Sequence, residues 1–122
     1  IELYSNSVPL FPWGKVLLDE FTIKLYPKKE GIHKYHIDTD RGFTFTRLFA
    51  CIWYLNTIKV GGFTSFPDLD TLIPAKKNTL LTFPCNFLFP HQGDQPISED
   101  RYVMTYFVYA ANEKGDYLLK RD

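Results

Sequence analysis

The chain alternates short apolar runs with clusters of turn residues, at intervals of about ten residues, and shows no helical periodicity. The runs are rich in β-branched and aromatic residues, which favour strands. The predicted strands are Val16–Tyr26, His33–Asp38, Arg47–Asn56, Phe63–Phe66, Leu69–Pro74, Thr79–Phe83 and Arg101–Ala110, with a further edge at Tyr117–Lys120. Many short strands predict a mainly β sandwich or barrel with little helix, and a double-sheet jelly roll fits their number.

The length of 122 residues fits one domain, which we predict over residues 1–122 with a core over about residues 16–110. The 14 basic and 14 acidic residues cancel, so charge gives no argument for binding to nucleic acid or to an anionic membrane. No apolar run approaches the length of a membrane span. We therefore expect neither nucleic acid nor membrane as a partner, and the sequence leaves the oligomeric state open.

The two cysteines, Cys51 and Cys85, do not form a C-x-x-C pair, so the sequence gives no support for a structural zinc site. Cys51 falls in a strongly apolar run, where a buried free thiol is common. We expect both thiols to be reduced and the protein to be cytoplasmic.

A His-x-Asp motif at His36 and Asp38 is the first candidate for chemistry. In an extended strand these two side chains point to the same face, so an imidazole and a carboxylate approach one point. His91, far downstream, can complete the set from a neighbouring strand. Two histidines and one carboxylate bind one face of an octahedral metal, the pattern of non-haem Fe(II) oxygenases.

Arg101 follows His91 by ten positions and begins an apolar strand. A guanidinium pairs with a carboxylate through two hydrogen bonds, and Thr105 shares the face of Arg101. The pair suits the distal carboxylate of a dicarboxylic acid. The alternative is an ordinary buried arginine that a nearby aspartate satisfies.

Further short motifs accompany these residues from about residue 20 to residue 110. They are Tyr26-Pro27, Tyr35-His36-Ile37-Asp38, Cys51-Ile52-Trp53-Tyr54-Leu55-Asn56, Gly61-Gly62-Phe63-Thr64-Ser65-Phe66, Leu80-Leu81-Thr82-Phe83, His91 and Arg101-Tyr102-Val103-Met104-Thr105. In this order and spacing the chain resembles the 2-oxoglutarate and Fe(II)-dependent dioxygenases, specifically the prolyl 4-hydroxylase-like branch. The resemblance implies the double-stranded β-helix, which is the same jelly-roll fold.

The resemblance also implies roles for individual residues. His36, Asp38 and His91 would bind Fe(II), and Arg101 would bind the tail of 2-oxoglutarate. The hydroxyls of Tyr54, Thr105 and Tyr26 would assist near the cosubstrate. With O2, and with ascorbate as an accessory reductant, such an enzyme hydroxylates a C–H bond and releases succinate and CO2. A peptidyl proline is the favoured target.

Three alternatives differ from this interpretation. Nucleic-acid demethylases resemble the chain around the iron, but they carry a second arginine where this chain has Phe107. A hydroxylase of a free amino acid or another small molecule is compatible with every motif. A jelly-roll binding module with a vestigial site is the non-enzymatic alternative, although vestigial members lose a ligand or the basic residue.

Substrate choice is expected in the loops Pro27–Lys34, Thr39–Thr46 and Pro84–Phe89. Thr39–Thr46 follows the metal strand, and we predict a mobile lid in which Phe43 and Phe45 are exposed unless something covers them. His33 lies three residues before His36, so strand alternation predicts that it points to the opposite face, as a polar residue at the cleft rim.

Overall fold

The structure, a computed structural model, describes residues 14–119. The ends of the predicted domain, residues 1–13 and 120–122, lie outside the described residues. The strands are β1 (Val16–Leu18), β2 (Thr22–Tyr26), β3 (His33–His36), β4 (Arg47–Tyr54), β5 (Thr64–Phe66), β6 (Thr71–Ile73), β7 (Thr79–Pro84), β8 (His91–Gly93) and β9 (Arg101–Ala110). Short 3₁₀ helices at Phe43–Thr46 and Pro67–Leu69 are the helical segments of this part of the chain.

The strands form two antiparallel sheets. In the larger sheet β9 pairs with β4 on one side and with both β1 and β2 on the other, and β7 pairs with the far edge of β4. The smaller sheet has the order β3-β8-β5-β6. The predicted jelly roll with little helix is confirmed. No helix in residues 14–119 has the length and hydropathy that a membrane crossing requires.

The core lies between the two sheets. Ala50 of β4, Phe66 of β5 and Phe83 of β7 pack together in one cluster, although they come from both sheets. A second cluster surrounds Tyr54, which is fully buried, and includes Val103 of β9. The continuous apolar sequence of β4 is what a strand with neighbours on both faces requires.

The first predicted strand, Val16–Tyr26, is wrong as a single element. It is two strands, β1 and β2, which pair with successive parts of β9. Leu18 pairs with Val108 and Thr22 with Thr105, so this edge uses one residue more than its partner strand. The extra residue lies at the polar stretch around Asp19, whose side chain accepts a hydrogen bond from the Glu20 backbone. A bulge of this kind interrupts a ladder.

Three other boundaries also differ from the prediction. The strand β3 ends at His36, so Asp38 lies on a bend just beyond it and not within the strand. His91 lies on a strand beside β3, as expected, but the bounds of β8 were not predicted, because three residues that include a glycine carry too weak a pattern. The edge predicted at Tyr117–Lys120 is a single bridge between Ala111 and Tyr117, and Lys120 lies outside the described residues.

The two faces of β2 differ in environment. Lys24 and Tyr26 line the interior pocket of the jelly roll. Ile23 and Leu25 point away from it and are 69% and 51% exposed. The alternation expected for a strand therefore holds, but its apolar face is the outer one.

Candidate metal centre and anion pocket

The three predicted ligands meet at the mouth of the jelly roll. His36 and His91 are paired residues on the neighbouring strands β3 and β8, and the bend after β3 brings Asp38 beside them. The Nε2 atom of His36 lies 3.1 Å from Oδ1 of Asp38, and Nε2 of His91 lies 3.4 Å from its Oδ2. One donor atom from each residue lies within 4.8 Å of the others.

Both imidazoles present the same nitrogen to this centre. Nδ1 of His36 lies 2.6 Å from the carbonyl oxygen of Lys34, and Nδ1 of His91 lies 3.1 Å from that of Phe89. A backbone carbonyl accepts a hydrogen bond from the protonated Nδ1, and this tautomer leaves the lone pair of Nε2 for a metal. Burial lowers the pKa of His91, and this keeps the ring neutral, as a ligand must be.

The donor set fits Fe(II). Neighbouring ligands on an octahedral metal, with bonds of about 2.1 Å at right angles, lie about 3 Å apart. The two Nε2–oxygen distances are close to that separation. Two imidazoles and one carboxylate on one side also leave the opposite positions open, as the non-haem iron pattern requires. The residues are therefore suited to hold iron.

Asp38 is held in place by an arginine that the sequence analysis did not single out. Because Asp38 lies beyond the end of β3, no strand ladder fixes it. Nη1 of Arg47 donates a hydrogen bond of 2.9 Å to the Asp38 backbone carbonyl. The Arg47 guanidinium stacks 3.6 Å from the centre of the Phe107 ring, and its Nε donates to the hydroxyl of Tyr109. Arg47 thus ties the ligand segment to β9.

Arg101 lies buried in the same pocket, with 3% of its surface exposed. Its Nη1 donates to the carbonyl of Gly62 at 2.9 Å, and its guanidinium carbon lies 4.3 Å from the centre of the Tyr26 ring. Its Nε is buried and has no hydrogen-bond partner. No carboxylate between residues 14 and 119 forms a salt bridge with it, so an aspartate does not satisfy this arginine as the alternative expected.

A buried guanidinium with an unpaired donor is costly unless a ligand completes it. The unpaired Nε therefore fits a bound carboxylate, such as that of 2-oxoglutarate. Burial lowers the pKa of Arg101, although nearby Tyr26 and Tyr54 oppose that shift.

Glycines make room for this arginine. Gly61 and Gly62 have φ angles of 76° and 70°, which favour glycine, and their turn directs the Gly62 carbonyl at Arg101. A Cβ on Gly93 would lie 2.6 Å from Nη2 of Arg101 and 3.1 Å from Cβ of His33. The pocket therefore requires a residue without a side chain at this point of β8.

The three assisting hydroxyls all line this pocket, in different environments. The Tyr54 hydroxyl forms a buried hydrogen bond of 2.5 Å with Thr64, and burial raises the pKa of Tyr54. Burial likewise raises the pKa of Tyr26. The Thr105 hydroxyl forms no hydrogen bond with any described residue. Thr105 and Arg101 line the same pocket, and their joint role toward a carboxylate stays a prediction.

The predicted orientation of His33 is wrong, although His33 is exposed and lines the pocket, as a polar residue at the cleft rim would. Its ring stacks on that of His36, with centres 3.9 Å apart, and both rings face the pocket. His33 pairs with Gly93 and His36 with His91, so β3 contains one extra residue between them, and this bulge reverses the expected alternation. Desolvation, followed by the charge of His36, lowers the pKa of His33 to about 4.

The predicted lid, Thr39–Thr46, is more ordered than its composition suggested. Oδ1 of Asp40 accepts hydrogen bonds from the Gly42 backbone and from the Thr44 hydroxyl. Phe43 stacks against Tyr109 with ring centres 4.9 Å apart, so it is covered, whereas Phe45 is 71% exposed. Whether this segment moves stays a prediction.

Sequence reasoning missed Thr64, Lys24 and Arg47. Lys24 and Thr64 line the pocket, but a single lysine or threonine in a strand carries no motif. Strand alternation places Lys24 on the same face as Tyr26, and this could have identified Lys24 as a pocket residue. Arg47 gave no signal, since its partner is a backbone carbonyl.

A family model described as the 2OG-Fe(II) oxygenase superfamily matches residues 21–109, which include every ligand and pocket residue named above. The chain belongs to the 2OG-Fe(II) oxygenase superfamily. The predicted enzyme class, a 2-oxoglutarate-dependent dioxygenase, is thereby confirmed, and the family implies Fe(II), 2-oxoglutarate and O2. A comparison with curated proteins found no significant match.

Several solved structures of prolyl hydroxylases share the fold. A viral collagen prolyl hydroxylase from Paramecium bursaria Chlorella virus-1, in complex with 2-oxoglutarate, is 21% identical with a TM-score of 0.74, and the match covers 91% of this chain and 69% of that one. A prolyl hydroxylase from Trichoplax adhaerens, in complex with a hypoxia-inducible-factor peptide, is 22% identical with a TM-score of 0.72, covering 92% and 52%. A Pseudomonas putida prolyl-4-hydroxylase is 19% identical with a TM-score of 0.67, covering 89% and 59%. The chain thus spans between about half and about two thirds of each of these proteins.

Proposed function

We propose that this chain hydroxylates a C–H bond of a peptidyl proline, with 2-oxoglutarate as cosubstrate and with release of succinate and CO2. The observation that carries the proposal is the arrangement of one pocket. The His36–Asp38–His91 donors and the unpaired Nε of Arg101 line the same pocket. A metal site and a site for a distal carboxylate are the two features that binding of 2-oxoglutarate to iron requires.

Some side chains of the pocket bind the metal and the cosubstrate, and others exclude water. When bound, Fe(II) would supply the chemistry in which O2 oxidises 2-oxoglutarate to succinate and CO2 and delivers its second oxygen atom to the C–H bond. His36, Asp38 and His91 hold the metal, and Arg101 binds the cosubstrate tail and so fixes its depth. The Tyr54–Thr64 pair offers a hydroxyl at the pocket wall. Apolar residues of β4 and β9, such as Ile52 and Phe107, exclude water.

A peptide is the favoured substrate because the fold is that of prolyl hydroxylases, one of which was solved with a peptide bound. We propose ascorbate as an accessory reductant, as the family resemblance implies. The thiols of Cys51 and Cys85 are free and buried, which supports our proposal of a reducing, cytoplasmic location.

The test is turnover with defined substrates. The protein would be incubated with Fe(II), 2-oxoglutarate, ascorbate and a library of proline-containing peptides, with free amino acids in a parallel arm. Succinate is measured enzymatically, and mass spectrometry detects the gain of one oxygen atom. We expect peptide-dependent succinate, oxygen gain at proline, and no activity from Asp38→Ala. Oxygen gain only on free amino acids would support the small-molecule alternative, and succinate no higher than with Asp38→Ala in either arm would overturn the proposal.

A further inference from the structure

A second depression lies on the other side of the Asp38 segment from the iron pocket. This groove has a volume of about 530 Å³, which is within the range of ligand-binding clefts. Two loops form its walls, residues 39–46 and residues 85–87, and Ile37 and Leu48 contribute to its apolar lining. Both loops were expected to govern substrate choice, but none of the metal or cosubstrate roles described above uses this groove.

The first wall presents an aromatic side chain to solvent on a fixed support. The Asp40 hydrogen bonds to Gly42 and Thr44 shape the loop, and the packing of Phe43 on Tyr109 fastens it to β9. Phe45 follows on the 3₁₀ helix and is 71% exposed. The loop contacts thus hold the apolar ring of Phe45 in an exposed position.

The second wall is built in the same way. The side chain of Asn86 accepts a hydrogen bond of 2.8 Å from the Leu88 backbone, and its carbonyl accepts one from Phe89. This turn projects Phe87, which is 74% exposed, into the lining of the groove. Two exposed aromatic residues on loops that hydrogen bonds hold in place are typical of a recognition surface.

The groove borders the segment that carries two of the metal ligands. Ile37 lines it and stands between the ligands His36 and Asp38 in the sequence. Arg47 also lines it and donates to the Asp38 carbonyl. A chain that lies in the groove therefore contacts Ile37 and Arg47, the residues that adjoin and hold the ligand segment.

One charged side chain in the groove, that of Arg41, has no partner among the described residues. Arg47 is occupied by Asp38, Tyr109 and Phe107, and the Asp40 carboxylate is occupied by its own loop. Arg41 lines the groove, is exposed, and forms no hydrogen bond or ion pair with another residue of the described chain. The surface therefore complements an apolar group next to a negative one.

We propose that this groove binds the part of an extended peptide substrate that flanks the hydroxylated residue. A bulky apolar side chain of the peptide lies between Phe45 and Phe87, and an acidic side chain pairs with Arg41. The proposal rests on the proposed function for the identity of the occupant as substrate. Binding of the peptide itself does not require turnover.

The test uses a library of fluorescein-labelled peptides around a central proline. Leucine and glutamate are placed singly and together at one to five positions on either side, in an alanine background. Fluorescence anisotropy is measured with Mn(II) and 2-oxoglutarate, without O2. We expect the tightest member to carry both residues, and Phe45→Ala or Phe87→Ala to weaken it about tenfold, as loss of a central aromatic contact does.

Two further variants make the test specific. Arg41→Glu should reverse the charge preference, so that replacing the glutamate of the best peptide with lysine restores binding to this variant only. Phe21→Ala is the matched control, because Phe21 is 57% exposed on the outer face of the larger sheet, away from the groove. Its peptide affinity should equal that of the wild type.

Peptide binding and succinate release together distinguish a wrong groove assignment from a wrong proposed function. Phe45-dependent peptide binding without succinate from any peptide would retain the groove and overturn the function. Peptide-dependent succinate with an unchanged KM in both Phe45→Ala and Phe87→Ala would retain the function and overturn the groove. A library without preference for leucine or glutamate would also overturn the groove.

Discussion

At β2, the two faces of the larger sheet invert the usual relation between polarity and burial. On its inner face, β2 and β9 carry Lys24, Tyr26 and Arg101, and Arg101 is 3% exposed. On its outer face, Ile23 and Trp53 are 69% and 37% exposed. Each pair of neighbouring residues on β2 therefore contributes one polar group to the interior and one apolar group to solvent.

This inversion of polarity and burial indicates a ligand-binding site. A fold that needed only stability would bury the apolar face of β2 and expose the polar one. Here the interior is a pocket for charged ligands, so buried polar groups are retained despite their desolvation cost. Substitutions on the inner face should consequently change ligand binding, whereas those on the outer face should leave it unchanged.

The largest effect is expected at the metal ligands. Asp38→Ala removes the carboxylate that faces both imidazoles, so binding of Mn(II), measured by calorimetry, should fall below detection. The matched control is His33→Ala, since His33 stacks on His36 but lies outside the donor set. Comparable loss in both variants would show that the pocket as a whole, and not this donor set, binds the metal. His91→Ala is less suitable, because its ring also packs on Phe83.

The next effect concerns Arg101. Removing one member of a buried charge pair costs about 2–5 kcal/mol. At about 1.4 kcal/mol per factor of ten, Arg101→Ala should weaken 2-oxoglutarate binding by roughly 30-fold to a few thousand-fold. Arg101→Lys should recover only part of this, because an ammonium lacks the bidentate geometry. The measurement is calorimetry with an inert divalent metal, and wild-type affinity in Arg101→Ala would exclude Arg101 as the cosubstrate residue.

A smaller effect is expected at Arg47, which acts on the metal through the Asp38 backbone. Loss of a group that positions a ligand typically lowers metal affinity by about 10–100-fold. Arg47→Ala should show this loss, and Arg47→Lys should restore part of it. Arg41→Ala, a second arginine near the same loop, should bind metal as the wild type does. The absorption spectrum of bound Co(II) reports the ligand geometry, so an unchanged spectrum in Arg47→Ala would contradict the positioning role.

The smallest effect compares two adjacent residues of β2. Lys24→Ser removes a cation from the pocket lining and should weaken binding of the 2-oxoglutarate dianion by up to about fivefold, the range for a partly solvated charge pair. Ile23→Ser changes the outer face, and the same affinity should stay unchanged. Equal effects of the two substitutions would remove the distinction between the faces.

The sequence predicted the fold class and the position of each central strand because β4 and β9 are long apolar runs. Within the ligand set only His36 and Asp38 form a local pattern, since they are two residues apart, whereas His91 is distant in sequence and was joined to them through the iron-site pattern and the family resemblance. It did not predict the rotation of His33, because a bulge depends on how β3 pairs with β8. Nor did it predict Arg47 or Thr64, because the fold, and not a sequence motif, brings them to the Asp38 carbonyl and the Tyr54 hydroxyl.

The central position of β9 has a consequence for the order of folding. This strand pairs with β1, β2 and β4, carries Arg101, and is the last strand of the described chain. Val16 therefore cannot form its strand pairing until Ala110, its partner residue, has been synthesised. Contacts between residues so far apart in sequence form slowly. During synthesis, the edges of β1, β2 and β4 that face β9 stay unpaired until β9 emerges, so the cosubstrate pocket forms only after the other strands of both sheets have been made.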